Sequence, residues 1–284
     1  TPATPADQAP AVETVAAQTD AGMEAPGTSI EPAAELPATE TQTPQPIATG
    51  NTSDMPQEQA GVHYKVSPPP SVELKYDVKK VSGDGNPLHG YGTISWHSNG
   101  TSYVIHGDAG VLFITALTFT SEGTIDEFGV APVIYSEKRF RKSATNTHFH
   151  RQRNTISFSA SETSYPRKGG EQDRASIIWQ LSSIGRGDSE KFMPDAAFDI
   201  FVAGVRDGEI WRIHVIGQED IETGLGKTAT WHVVRAPKPG SYDQKLDIWL
   251  TPQHEWYPAR LRYTETNGDT LDMLLSDMRG TSAR

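Results

Sequence analysis

Val72-Glu73-Leu74-Lys75-Tyr76-Asp77-Val78-Lys79 alternates apolar and charged side chains over eight residues. Successive side chains of a strand point to opposite faces, so this pattern predicts a half-buried β-strand. The same period recurs downstream. Ile94 and Trp96 flank Ser95, and Ile156 and Phe158 alternate with Thr155, Ser157 and Ser159. Phe198, Ile200 and Val202 follow, then Trp211, Ile213 and Val215 against Arg212 and His214. Later runs are Trp231 with Val233, Leu246 to Leu250, Leu261 with Tyr263, and Leu271 to Leu275. Val111 to Phe119 is apolar on both sides and reads as one buried strand.

Between such runs lie Asn99-Gly100, Asp207-Gly208 and Asn267-Gly268. These pairs favour the positive-φ turns that match strand twist, and strands joined so tightly are antiparallel. The expected fold is therefore all-β: a curved antiparallel sheet or barrel of about ten strands or more, since closure or cover protects the edge strands. One segment breaks the period. Asp173 is positioned to cap a helix over Arg174 to Ile184, with Ile177, Ile178, Leu181 and Ile184 on one face and Gly185 and Gly187 as stops. That apolar stripe must pack on the sheet.

Composition divides the chain. Residues 1–62 hold nine acids, no Lys or Arg and no aromatic, and 32 of the 62 are Pro, Ala or Thr. Such a segment buries too little apolar surface to offset its ordering entropy and is expected to be a disordered spacer or tail. Residues 63–284 hold 27 acids, 25 bases and all 24 aromatics, which makes a nearly neutral β domain. Neutrality argues against nucleic acid, which selects a basic face. The absence of cysteine excludes disulfides, thiolate metal sites and a cysteine nucleophile. No run approaches the ~20 apolar residues that span a bilayer. The chain opens on Thr1, so a signal peptide or membrane anchor is expected to precede it.

Leu246-Asp247-Ile248-Trp249-Leu250, Tyr257-Pro258-Ala259-Arg260-Leu261, Asn267-Gly268-Asp269 and Asp173-Arg174-Ala175-Ser176 resemble, across roughly residues 72–278, a bacterial family catalogued as domain of unknown function 3108. The resemblance implies an exported, envelope-located and mostly antiparallel β protein behind a Pro-rich linker. It implies no reaction and carries over no catalytic residue. The mix of curved sheet and inserted helix is similar to that of all-β periplasmic lipid and lipoprotein carriers, which is an analogy of architecture.

Chemistry is sparse. His148-x-His150 puts two imidazoles on one strand face, but the neighbours Lys142, Arg151 and Arg153 oppose a cation, so no metal and no cofactor are expected. Lys138, Arg139, Arg141, Lys142, Arg151 and Arg153 flank a turn expected at Ser143 to Thr147. Folded as a hairpin they would form a positive patch for a lipid headgroup or an anionic glycan, or else a solvated face paired with the domain's own acids. Trp179, Trp211, Trp231 and Trp249 read as core or as the walls of a lipid cavity. Glu219-Asp220-x-Glu222 reads as a charged hairpin end, and no nucleophile elbow is present. The candidate ligand-binding residues are thus Arg139, Arg141, Arg151, Arg153, Trp179, Trp211, Trp231 and Trp249. Three functional readings stay open: a non-enzymatic envelope carrier of an amphipathic ligand, with an apolar cavity and a basic mouth; a tethered interaction module with a filled core; and a protein that binds or cleaves envelope polysaccharide.

Overall fold

The alternating runs assemble into one sheet. In the computed structural model the described residues are 61–83, 85–111, 114–238, 240 and 243–281. The expected disordered tail, residues 1–62, lies outside them except for its last two. All the described residues belong to one unit, Met55–Arg284.

The strands are β1 (Val72–Val81), β2 (Leu88–Ser98), β3 (Ser102–Val111), β4 (Ile114–Asp126), β5 (Gly129–Arg139), β6 (Thr145–His150), β7 (Thr155–Phe158) and β8 (Ser161–Pro166). After the short β9 (Gln172–Asp173) and helix α1 (Ser176–Gly187) come β10 (Ala197–Ala203), β11 (Gly208–Thr223), β12 (Gly226–Arg235), β13 (Lys245–Thr251), β14 (Tyr257–Thr264) and β15 (Thr270–Gly280). They form a 15-stranded sheet in the order β8 to β1, then β15 down to β9. The first strand pairs antiparallel with the last, Tyr76 opposite Leu275. The three predicted hairpins join β2 to β3, β10 to β11 and β14 to β15, each antiparallel. The ends of the sheet meet through side chains: Tyr165 lies 5.2 Å from Phe201, and Thr147 Oγ1 donates to Gly204 O at 2.6 Å.

Helix α1 occupies the concave face. Trp179 stacks on Trp96 at 4.9 Å and 14°, and Trp96 stacks on Tyr103 at 5.2 Å. Ile177, Leu181 and Ile184 are fully buried, as the stripe predicts. Gln180 ties the helix to β5 by accepting from Val130 N and donating to Phe128 O. The residues before β1 join in: Ser67 N donates to Ser183 O, and Trp96 Nε1 donates to Pro69 O at 2.9 Å.

Two expectations need correction. The helix starts at Ser176 and runs through both glycines instead of ending before Gly185. These glycines are close-approach positions. A Cβ on Gly185 would sit 2.2 Å from the Trp256 ring, and one on Gly187 would sit 2.6 Å from the Lys65 carbonyl. Val111 to Phe119 is not one buried strand. Val111 ends β3, pairs with Ile114 at the start of β4, and Ile114 is 54% exposed. An uninterrupted apolar run carries no mark of a turn that lies at a rim.

Candidate functional site

The turn entering the helix, after β9, packs against β5, and α1 itself packs against β5 and β14. Asp173 builds that turn. Its Oδ1 accepts from the backbone N–H of Ala175 and of Ser176, both at 2.8 Å, and its Oδ2 accepts from Ser121 Oγ at 2.6 Å. Ser121 Oγ in turn lies 2.9 Å from the Tyr103 hydroxyl. Asp173 is wholly buried, and that burial pushes its carboxyl up from the ordinary 3.8 to about 6 although its three hydrogen bonds favour the anion. The carboxylate thus fixes the backbone from which the next side chain leaves.

That next side chain is Arg174. It is exposed, it lies over the bare backbone of Gly204, and it makes no hydrogen bond or ion pair with any described residue. Its charge is nonetheless felt by two phenols on different walls. Burial raises Tyr135 on β5 well above the ordinary range, with Glu137 adding to the rise and Arg174 opposing it. Burial also pushes Tyr263 on β14 up to about 12, again lowered by Arg174 and raised by Glu137. By geometry the guanidinium lies over Gly204, whose carbonyl accepts from Thr147 of β6, so Arg174 sits where the two ends of the sheet meet, and this end is its mouth. The rest of the mouth is polar at its lip. Tyr135 OH donates to Glu137 Oε2 and Arg139 Nε to Glu137 Oε1, both at 2.8 Å. Deeper on the inner face lie Phe119, Trp211, Tyr263 and Leu271, packed on the core yet only partly buried. Arg235 sits 5.0 Å over Trp211 and donates to Gln244 O at 2.6 Å.

The predicted site residues divide among five places. Arg139 is at this mouth and Arg141 is on the turn beside it. Arg151 and Arg153 are at the far end of β6, ~20 Å of strand away. The expected single positive patch is therefore split, because the turn comes at Phe140 to Ala144 and puts a whole strand between the pairs. Arg151 bonds Asp126 at 3.2 Å, and Arg153 bonds the His150 ring. Trp179 is core, at 1% exposure. Trp211 and Trp231 line the inner face. Trp249 is on the opposite, outer face.

That outer face holds a constellation the sequence did not announce. Trp249 stacks on His232 at 4.2 Å and 9°, donates to Glu219 Oε2 at 2.8 Å, and has Arg260 over its ring at 4.9 Å. His232 Nε2 lies 2.9 Å from Asp247 Oδ1. Burial would raise the Asp247 carboxyl, but His232 and Lys245 hold it below the ordinary range. Glu219 and Asp220 alternate faces, so they form no opposed catalytic pair; Asp220 instead bonds Lys227 at 3.0 Å. His148 and His150 stack at 5.6 Å, and among the described residues no group of three His, Asp or Glu is placed to hold a metal.

Open grooves mark the surface, one beside Arg139 and the other at the far end of β6. One of about 700 Å³ runs along Thr115, Thr118 and Lys138 to Lys142. Another of about 350 Å³ lies among Asp126, Phe128, Arg151 and Arg167. No helix of the described residues is long and apolar enough to cross a membrane.

Residues 75–276 match the family described as Protein of unknown function (DUF3108), so the chain belongs to it. No curated protein matches the chain. Among solved structures it is similar to a beta-barrel-like protein of domain of unknown function DUF1849 from Brucella abortus, with a TM-score of 0.52 and 11% identity over 76% of this chain and 100% of that one. A DUF1329 family protein from Desulfovibrio piger has a TM-score of 0.28 at 9% identity, covering 76% and 88% of the two chains. A LolA superfamily protein from Nitrosomonas europaea has a TM-score of 0.21 at 10% identity, covering 78% and 90%. The last two superpose too loosely to bear on the fold.

Proposed function

We propose that this DUF3108 protein is a non-enzymatic binding protein of the cell envelope that holds an amphipathic ligand with an anionic head at the open end of its sheet. One observation carries the reading: the exposed Arg174 guanidinium pairs with no described residue, on a turn anchored by the buried Asp173. An exposed arginine fork that no described residue engages is suited to a phosphate or carboxylate. The part-exposed Phe119, Trp211 and Leu271 offer the apolar part of the ligand a wall below that head.

The reading is tested by titrating the full chain with a long-chain alkyl phosphate and with its neutral alcohol, following tryptophan fluorescence. Saturable binding of the phosphate, lost at least tenfold in Arg174→Ala and partly kept in Arg174→Lys, is expected. Equal binding of phosphate and alcohol, or no effect of Arg174→Ala, contradicts it.

A second reading, an interaction module with a filled core, rests on α1 itself. The helix and Trp179 fill the middle of the concavity, so a ligand has the mouth but no deep cavity through the sheet. In that reading Arg174 meets an acidic group of a protein partner, and the alkyl phosphate does not saturate.

A further inference from the structure

The turn between β5 and β6 breaks a local rule. Lys142 N donates to Arg139 O at 3.0 Å, closing a turn whose third residue, Arg141, has φ 56°. That left-handed position normally takes Gly or Asn, and an arginine there costs about 1 kcal/mol or more. The strain displays a particular set of side chains. Phe140 is 51% exposed, with the Arg141 guanidinium 5.0 Å from its ring. Beside it on β4, Ile114 is 54% exposed, and the two strands are tied there by Phe140 N donating to Ala116 O. Lys138, Arg139, Arg141 and Lys142 flank Phe140 along the groove of about 700 Å³, which Thr115, next to Ile114, also lines. The adjoining acid, Glu137, is already engaged by Tyr135 and Arg139.

We propose that this rim docks on an anionic lipid surface. Cations alone would suit any polyanion. Exposed aromatic and aliphatic tips among cations suit a surface whose charged layer covers an apolar interior, which a bilayer has and a polysaccharide lacks. Phe140 and Ile114 enter the interface while Arg141, Lys138 and Lys142 contact phosphates. Docked in this way, the rim brings the neighbouring mouth to the membrane. The inference stands on different residues from the ligand reading, so a chain with a disabled Arg174 still docks.

Vesicle co-sedimentation of the full chain tests it, using phosphatidylcholine vesicles with and without a 30% share of phosphatidylglycerol. Binding is expected only with phosphatidylglycerol. It should weaken about fivefold for each rim cation neutralised and fade as salt shortens the screening length. Arg141→Glu with Lys142→Glu should abolish it and Phe140→Ser should weaken it, while both variants keep the wild-type melting temperature as exposed-turn changes do. Arg151→Glu, at the far end of β6, should bind like wild type. Absence of binding, equal binding to both vesicles, or equal loss in Arg151→Glu and the rim variant overturns the proposal.

Discussion

Asp173 and Arg174 are neighbours in the chain with opposite fates: the carboxylate is wholly enclosed and accepts three hydrogen bonds, while the guanidinium is exposed and pairs with no described residue. Burial lifts the Asp173 carboxyl from 3.8 to about 6, so the folded chain takes up this proton more readily than the unfolded chain. The contribution to stability is full below about pH 4 and is lost as pH rises to about 6, amounting to roughly 3 kcal/mol over that window. Asp173→Asn keeps an acceptor for the two N–H groups and has no proton to lose. Urea unfolding from pH 4 to 7 should show the wild type losing stability relative to Asp173→Asn across that window; parallel curves would contradict it.

Gly185→Ala separates helix propensity from packing. In an exposed helix the change gains up to about 1 kcal/mol. Here the new methyl meets Trp256 at 2.2 Å, so a loss of about 1–3 kcal/mol is expected in chemical denaturation.

On the outer face, burial would raise the Asp272 carboxyl, yet Arg260 and Arg262 hold it below the ordinary range. Asp272→Asn leaves two part-buried guanidiniums without their carboxylate and should cost about 1–3 kcal/mol. The exposed pair Lys75–Asp277, 3.9 Å apart, is the comparison, and Asp277→Asn should change stability by no more than about 0.5 kcal/mol.

Arg141→Gly should move stability and binding in opposite directions. Relief of the left-handed strain raises stability by about 1 kcal/mol, while loss of the tip cation weakens vesicle binding about fivefold. Loss of both would make the turn a structural element only.

The fold was legible because parity is local. The alternation at Val72 to Lys79 marks an inner face that holds in β1, and the apolar stripe of α1 lands on it. Asn99-Gly100 and Asn267-Gly268 mark turns by their own backbone preference. The site was less legible. Trp249 sits in a strand buried on both faces, since the arm formed by β11 and β12 brings Ile221 over the outer side of β13. A run with no polar face does not say which way any one residue points. Glu219 looked like a charged hairpin end because its partner Trp249 is 30 residues away. Arg174 lies inside the Asp173-Arg174-Ala175-Ser176 motif, but only the folded chain shows that no described residue pairs with it.

Native mass spectrometry of the full chain, purified without detergent from its own host, decides whether a ligand is held at Arg174. The expected spectrum shows an extra mass that disappears on denaturation, extracts into organic solvent, carries a phosphate or carboxylate, and is missing from Arg174→Ala at unchanged melting temperature. A wild-type spectrum with no extra mass, or the same bound species on Arg174→Ala, would contradict it.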